Sequence, residues 1–141
     1  VIHKVIVRKI DAMKYADEIH DFQTQHFPID HLVPANSAEW WFAFDDDEPI
    51  AFAGMSPSRR WGDCGYLCRA GVDEAYRGHG LQRRLIRARV AEARRKGWYY
   101  LFTDTTDAPA SANSLIAEGF KVYQPSKPYV FKNTIYWRLK L

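Results

Sequence analysis

Residues 72–85 read Val-Asp-Glu-Ala-Tyr-Arg-Gly-His-Gly-Leu-Gln-Arg-Arg-Leu. From Leu81 onward Leu, Arg and Ala recur as in a good helix, yet Gly78 and Gly80 stand just in front of it. Inside a helix glycine costs about 1 kcal/mol relative to alanine. At a helix entrance it has a use. The first turn carries unpaired N–H groups and the positive end of the helix dipole. Glycines there let an anion approach without a Cβ in the way. Arg77, Arg83 and Arg84 add positive charge around the spot. The stretch therefore reads as a strand ending at Val72, a turn, a cradle for a pyrophosphate, and a helix from Leu81 to about Lys96 that Gly97 stops. On these residues alone a flexible turn with a capping glycine fits equally well. A dinucleotide fingerprint fits badly, because its third glycine position is Arg83, and the G-K-[ST] of a P-loop is missing.

Working outward, the apolar pattern supplies alternating strands and helices. Val5–Ile10 reads as a strand, and Met13–Gln25 as a helix with Ala16, Ile19, His20 and Gln23 at helical spacing and Asp11 as N-cap. Residues 26–38 hold Pro28 and Pro34 and read as loop. Trp40–Phe44 and Pro49–Met55 form a hairpin across the acidic turn Asp45–Glu48. Trp40 and Trp41 point to opposite faces, so one belongs to the core and the other to an acceptor pocket or an interface. Gly65–Val72 and Trp98–Thr103 are strands on either side of the long helix, followed by a polar loop, a short helix over Ser111–Glu118 and a last strand, Thr134–Leu141. Residues 124–132, with Tyr129 and Phe131, read as a loop suited to covering a site. The order predicts an α/β fold: one domain over residues 1–141, with a mixed sheet, antiparallel hairpin pieces and a parallel step across the long helix.

Composition bounds the partners. The chain has 141 residues, 47% of them hydrophobic, which suffices for one real core. Twenty Lys and Arg against 17 Asp and Glu leave +3, too mild to demand nucleic acid. The long helix places Leu81, Leu85, Ile86, Ala88, Val90 and Ala93 on an apolar stripe and turns Arg83, Arg84, Arg87, Arg94, Arg95 and Lys96 elsewhere. Two cysteines, Cys64 and Cys68, without CxxC spacing or a flanking His argue for reduced thiols, no metal site and a cytoplasmic protein. No apolar run approaches the ~20 residues of a membrane span.

Two motifs together carry a resemblance. Val72 and Arg77-Gly78-His79-Gly80 resemble the acyl-CoA-binding motif, R-x-x-G-x-[G/A] in type, of the GNAT N-acetyltransferase superfamily, with Gln82 where that family has its last small residue. Ala108-Pro-Ala-Ser111, followed eight residues later by Gly119-Phe120, resembles the later N-P-x-S…G-F segment, with Ala108 in place of its Asn. The order of elements agrees along nearly the whole chain.

The resemblance implies a GNAT-like sheet with splayed central strands and acetyl-CoA as cosubstrate. The pantetheine arm would lie against the backbone of Ala70, Gly71 and Val72. Amides from Arg77, Gly78, His79, Gly80, Leu81 and Gln82 would hold the pyrophosphate, and Ser111 would flank it. The acetyl group would pass directly to an amine in a ternary complex. Such an amine, with pKa near ~10.4, is neutral in about one molecule in a few thousand at pH 7, so freeing its lone pair costs about 4–5 kcal/mol. A backbone N–H near Val72 would stabilise the oxyanion. Leu115 stands where the family often has a tyrosine acid, which leaves the thiolate, with pKa about 8.5, to a weak acid or water. Asp104 and Tyr66 are the candidate catalytic residues. Asp104 also suits a plain turn, and Tyr66 and Cys68 also suit a core. Acyl-CoA binding without catalysis and a basic nucleic-acid-binding module are the alternatives. The acceptor amine is not named by the sequence, and exposed sheet edges would allow a homodimer.

Overall fold

Trp40, Trp41, Phe42, Ala43 and Phe44 are all buried, and their alternation makes a sheet covered on both faces. In this computed structural model residues 4–141 are described; the first three residues of the expected 1–141 domain lie outside the described residues. The elements run β1 (Val5–Ile10), α1 (Ala16–His26), β2 (Glu39–Asp45), β3 (Glu48–Pro57), β4 (Cys64–Val72), α2 (Leu81–Arg95), β5 (Tyr100–Thr106), α3 (Pro109–Ala117), β6 (Lys121–Tyr123) and β7 (Thr134–Lys140). All seven strands join one sheet in the order β1-β2-β3-β4-β5-β7-β6. Among the described residues only β4 and β5 pair in parallel, which is the expected step across the long helix. The mixed α/β architecture is therefore as the sequence predicts.

Each face has its own core. Trp40, Phe42, Phe44 and Phe52 pack with Ile19 and Phe22 of α1. Trp41, Ala43, Ile50 and Leu101 pack with Leu81, Leu85, Ile86, Val90 and Ala93 of α2. The expectation that one of the paired tryptophans lines a pocket or interface is overturned. Trp40 is 0% and Trp41 4% exposed, one in each layer, because helices cover both sides of β2.

Several boundaries move. Asp11 does not cap α1: its carboxylate accepts from the N–H groups of Met13 and Lys14, closing a turn one step earlier, and the helix starts at Ala16 without a side-chain cap. Met13 accordingly lies outside the helix and is exposed. The strand expected over Trp98–Thr103 runs instead from Tyr100 to Thr106, because pairing with β7 continues to Thr134. The three-residue strand β6 is too short for a periodicity to register.

One close approach fixes the start of the parallel pair. A Cβ on Gly65 would lie 2.2 Å from the Trp98 ring and 2.8 Å from Leu101, whereas one on Gly62 meets nothing within 4 Å. Gly65→Ala is expected to lower stability by about 1–3 kcal/mol and Gly62→Ala by no more than about 0.5 kcal/mol, as read from chemical denaturation midpoints.

Candidate active site

The site begins where two strands part. β4 and β5 pair over only three positions, Cys64–Tyr66 against Tyr100–Phe102, although β4 continues to Val72 and β5 to Thr106. At the parting point the Thr103 hydroxyl donates to the Leu67 carbonyl at 2.9 Å, standing in for a ladder bond. The cause lies on the other side of β4. The register against β3 jumps so that Arg69 has no partner, and Arg69 holds φ +31°. Such a bulge bends and twists its strand. The Arg69 guanidinium secures the bend, donating to Asp30 Oδ2 at 2.7 Å and to the His31 carbonyl at 2.8 Å. A cavity of about 600 Å³ fills the opening. Leu67, Cys68, Arg69 and Ala70 line it on one side and Thr103–Thr106 on the other.

The glycine stretch sits at the α2 end of this opening. Gly78 and Gly80 have φ +81° and +78°, a conformation that costs other residues about 1–2 kcal/mol. Apart from the adjoining residues, nothing lies within 4 Å of where either Cβ would be, so both positions face open space. Gly80 is the N-cap and offers no side chain to the first-turn N–H groups. Arg77 Nε donates to the Val72 carbonyl at 3.0 Å, which fixes its guanidinium at the end of β4. Leu81 is core, so only its backbone faces the cradle.

Other expected partners are otherwise engaged. Arg83 pairs with Glu118 at 2.8 Å, and Arg84 donates to the Val5 carbonyl at 2.9 Å. They brace α2 against α3 and β1 rather than flanking the cradle. The departure at Gln82 has a structural reason: its amide donates to Ser111 Oγ and accepts from Ser114 Oγ, each at 3.2 Å, tying α2 to α3. Both Gln82 and Ser111 line the cavity; among residues 70–72 only Ala70 does. Gly71 and Val72 continue the ladder with β3. Leu115 is part of the core beneath the cavity.

At the inner end the structure brings Tyr66 and Asp104 together. The phenol donates to Asp104 Oδ2 at 2.5 Å. Burial raises the Asp104 carboxyl above its ordinary value, against the opposing pull of the Tyr66 hydrogen bond and the Arg69 charge. Burial and the neighbouring carboxylate hold the Tyr66 phenol far above its usual range. Burial likewise pushes the Cys68 thiol up to about 11, which keeps it a neutral wall residue.

A second cavity, of about 690 Å³, adjoins the first across Val33, Tyr66, Cys68 and Tyr129, which line both. Tyr129 is carried by the loop after β6, as expected for a covering segment. The N–H groups of Tyr129 and Val130 both donate to Tyr136 Oη at 3.0 Å, which anchors that loop to β7.

Arg89 is the residue that sequence reasoning missed. It is 3% exposed, lines the first cavity, and donates to the carbonyls of Gly54 at 3.0 Å and Leu85 at 3.1 Å. Complete burial pushes its guanidinium down to about 10. Its signal was present: four residues after Leu85 and four before Ala93, it lies on the apolar stripe of α2. The bulge at Arg69 had no comparable signal, since no glycine marks it.

A family model for the acetyltransferase (GNAT) family matches residues 7–120. The chain belongs to that family. Among solved structures it is similar to the IAA acetyltransferase of Bacillus cereus at 14% identity and TM-score 0.78, over 97% of this chain and 99% of that one. It is similar to yncA of Salmonella typhimurium, solved with its cofactor acetyl-CoA, at 18% identity and TM-score 0.75, over 98% and 94%. A GNAT family acetyltransferase of Elizabethkingia anophelis with acetyl-CoA bound gives 15% identity and TM-score 0.76, over 99% of both chains. At these identities the likeness is one of fold. No curated protein matches the sequence.

The raised Asp104 carboxyl sets a pH dependence. A carboxyl that binds its proton more tightly when folded stabilises the fold fully below its unfolded pKa of ~3.8–3.9, and that contribution is lost as pH rises through the folded value. Asp104→Asn, which cannot ionise, is expected to melt higher than the parent at pH 7–8, with the gap closing toward pH 4. Thermal melts across that range check it.

Proposed function

We propose that the chain is an N-acetyltransferase that moves an acetyl group from acetyl-CoA to a primary amine by direct attack in a ternary complex. One observation carries the reading: a single opening between β4 and β5 runs from the first turn of α2, where Gln82 and Ser111 line it, to a half-buried Tyr66–Asp104 pair, where a second cavity begins. The clear space before Gly78 and Gly80 fits a pyrophosphate, and the unpaired edge of β4 fits an extended arm. In this assignment Arg77, Gly78, His79, Gly80, Leu81 and Gln82 give the phosphates their backbone N–H groups, Arg77 adds charge, and Ser111 borders the cleft. Ala70 serves the arm, with Gly71 and Val72 beyond it.

When bound, acetyl-CoA supplies an acyl group activated as a thioester. The chain's own groups do the rest. Asp104 attracts the acceptor ammonium and takes its proton, and Tyr66 holds the carboxylate in place. The new N–C bond forms as the C–S bond breaks, and the second proton of the former ammonium passes through water to the thiolate, since Leu115 has none to give. The donor for the acyl oxygen needs moving. Val72 is six residues beyond Tyr66, about 20 Å at ~3.3 Å per residue, so a donor near Val72 and the Tyr66–Asp104 pair cannot serve one carbonyl. The backbone at the Arg69 bulge, left without a β3 partner, is the better placed group.

Two features bear on the alternatives. The arginine face of α2 is largely paired, Arg83 and Arg87 with Glu118 and Lys96 with Glu39, which argues against a nucleic-acid surface. Ala108 and Leu115 keep acyl-CoA binding without turnover as the second reading. Both cysteines are free thiols, in keeping with a reducing cytoplasm.

Acetyl-CoA at millimolar concentration is expected to raise the melting temperature, because a ligand of the folded state stabilises it. Absence of any shift ends the proposal. Asp104→Asn is expected to lower kcat by about 10²–10⁴ with that stabilisation intact, measured as thiol release in the presence of amines. Gly80→Ala is expected to lower stability by about 1–2 kcal/mol through its αL strain, as read from chemical denaturation.

A further inference from the structure

On the acetyltransferase reading, on which this inference rests, the second cavity decides which amine reaches the site. Among the described residues that line it, none is Asp or Glu, while Arg59 and Arg60 both are present. Neither arginine has a carboxylate partner among the described residues. Arg60 lies 4.8 Å over the Tyr129 ring and donates to the Lys127 carbonyl at 3.3 Å. The Ser58 hydroxyl accepts from the N–H groups of Arg60 and Trp61, each at 3.2 Å, so a short turn presents both side chains to the cavity. Trp61 is 54% exposed and stacks on Phe102 at 6.3 Å and 24°. Behind that wall Arg138 sits 5.0 Å over the Tyr123 ring and adds further positive charge.

A polycation would meet like charges here, which costs affinity. A flat apolar group against Trp61 and Phe102, joined to an anion facing the arginines, meets complementary chemistry. The one feature on the shared wall that suits an ammonium is Tyr66 with the carboxylate of Asp104 behind it. A volume of about 690 Å³ lies within the usual range for small-molecule sites.

We infer that the acceptor is a small primary amine that also carries a carboxylate and an aromatic side chain, a free aromatic amino acid in chemical class. Its carboxylate is held by Arg59 and Arg60, its ring lies against Trp61 and Phe102, and its nitrogen faces Tyr66. The reaction is the one above: the ammonium gives one proton to Asp104, its nitrogen gains the acetyl carbon as the C–S bond breaks, and its second proton passes through water to the sulfur, so that CoA leaves as the thiol.

Matched pairs test this. With saturating acetyl-CoA, thiol release is followed for L-phenylalanine against phenethylamine, L-tryptophan against tryptamine, and spermidine. The acids are expected to exceed their decarboxylated partners in kcat/KM by roughly 10- to 100-fold, the range for hydrogen bonds to charged groups, with spermidine slowest. Arg59→Ala, which removes a side chain without a hydrogen bond or ion pair among the described residues, is expected to raise KM for the acids and shrink the gap about tenfold, while acetyl-CoA still stabilises the variant. Arg60→Ala is the second variant, and circular dichroism checks its fold. Equal or better rates with the decarboxylated amines, preference for spermidine, or no turnover of either acid would overturn the acceptor class, as would a gap that neither variant changes. In those cases acetyl-CoA stabilisation shows the donor reading standing. If acetyl-CoA gives no stabilisation, both readings fall together.

Discussion

The geometry of this protein turns on β4, which is asked to pair on both sides and manages it for only three residues on one of them. The bulge at Arg69 takes up an extra residue against β3, and beyond Tyr66 the strand no longer follows β5. Cores on both faces make that parting sustainable. With Trp40, Phe42 and Phe52 packed under α1 and Trp41, Ile50 and Leu101 packed under α2, the sheet is held from both sides around its gap. Thr103, through its hydroxyl bond to Leu67, marks where the gap begins.

Charge is distributed in keeping with that gap. Inside, Asp104 is held by a phenol rather than by a cation, and burial raises its proton affinity against the pull of that hydrogen bond. Arg89 is buried with carbonyls for partners and no carboxylate among the described residues. Outside, Arg83 and Arg87 are braced against Glu118 after α3, and Lys96 against Glu39 of β2, while Arg84 donates to the Val5 carbonyl. Arg59 and Arg60 on the wall of the second cavity are among the cations without a carboxylate partner among the described residues. A helix so rich in arginine therefore acts mainly as mortar between elements.

The frame is legible in the sequence where spacing carries the signal. The Gly78–Gly80 entrance, the hairpin, the long helix and the parallel step follow from glycine placement, β-rich runs and a 3.6-residue stripe. What escapes has physical reasons. Asp11 reads as a helix cap because its capping chemistry is real, but it closes the turn before the helix. A half-covered sheet would divide Trp40 and Trp41 between core and surface, and this sheet is covered on both sides. Charge groups Arg89 with its neighbours, although its position in the stripe points inward. Asp104 reads as a candidate base beside a turn, and it proves to be a strand residue bonded to Tyr66, a pairing across 38 positions that no local pattern encodes.

The two cavities touch at four residues and otherwise have separate walls. On the proposed reading, donor and acceptor then arrive by different doors. Neither has to leave for the other to enter, so the order of arrival is set by concentration and affinity rather than by the architecture. The acetylated product and the spent thiol can likewise depart independently. A chain built this way needs no moving lid to manage traffic, and its turnover is free to be limited by whichever ligand lets go last.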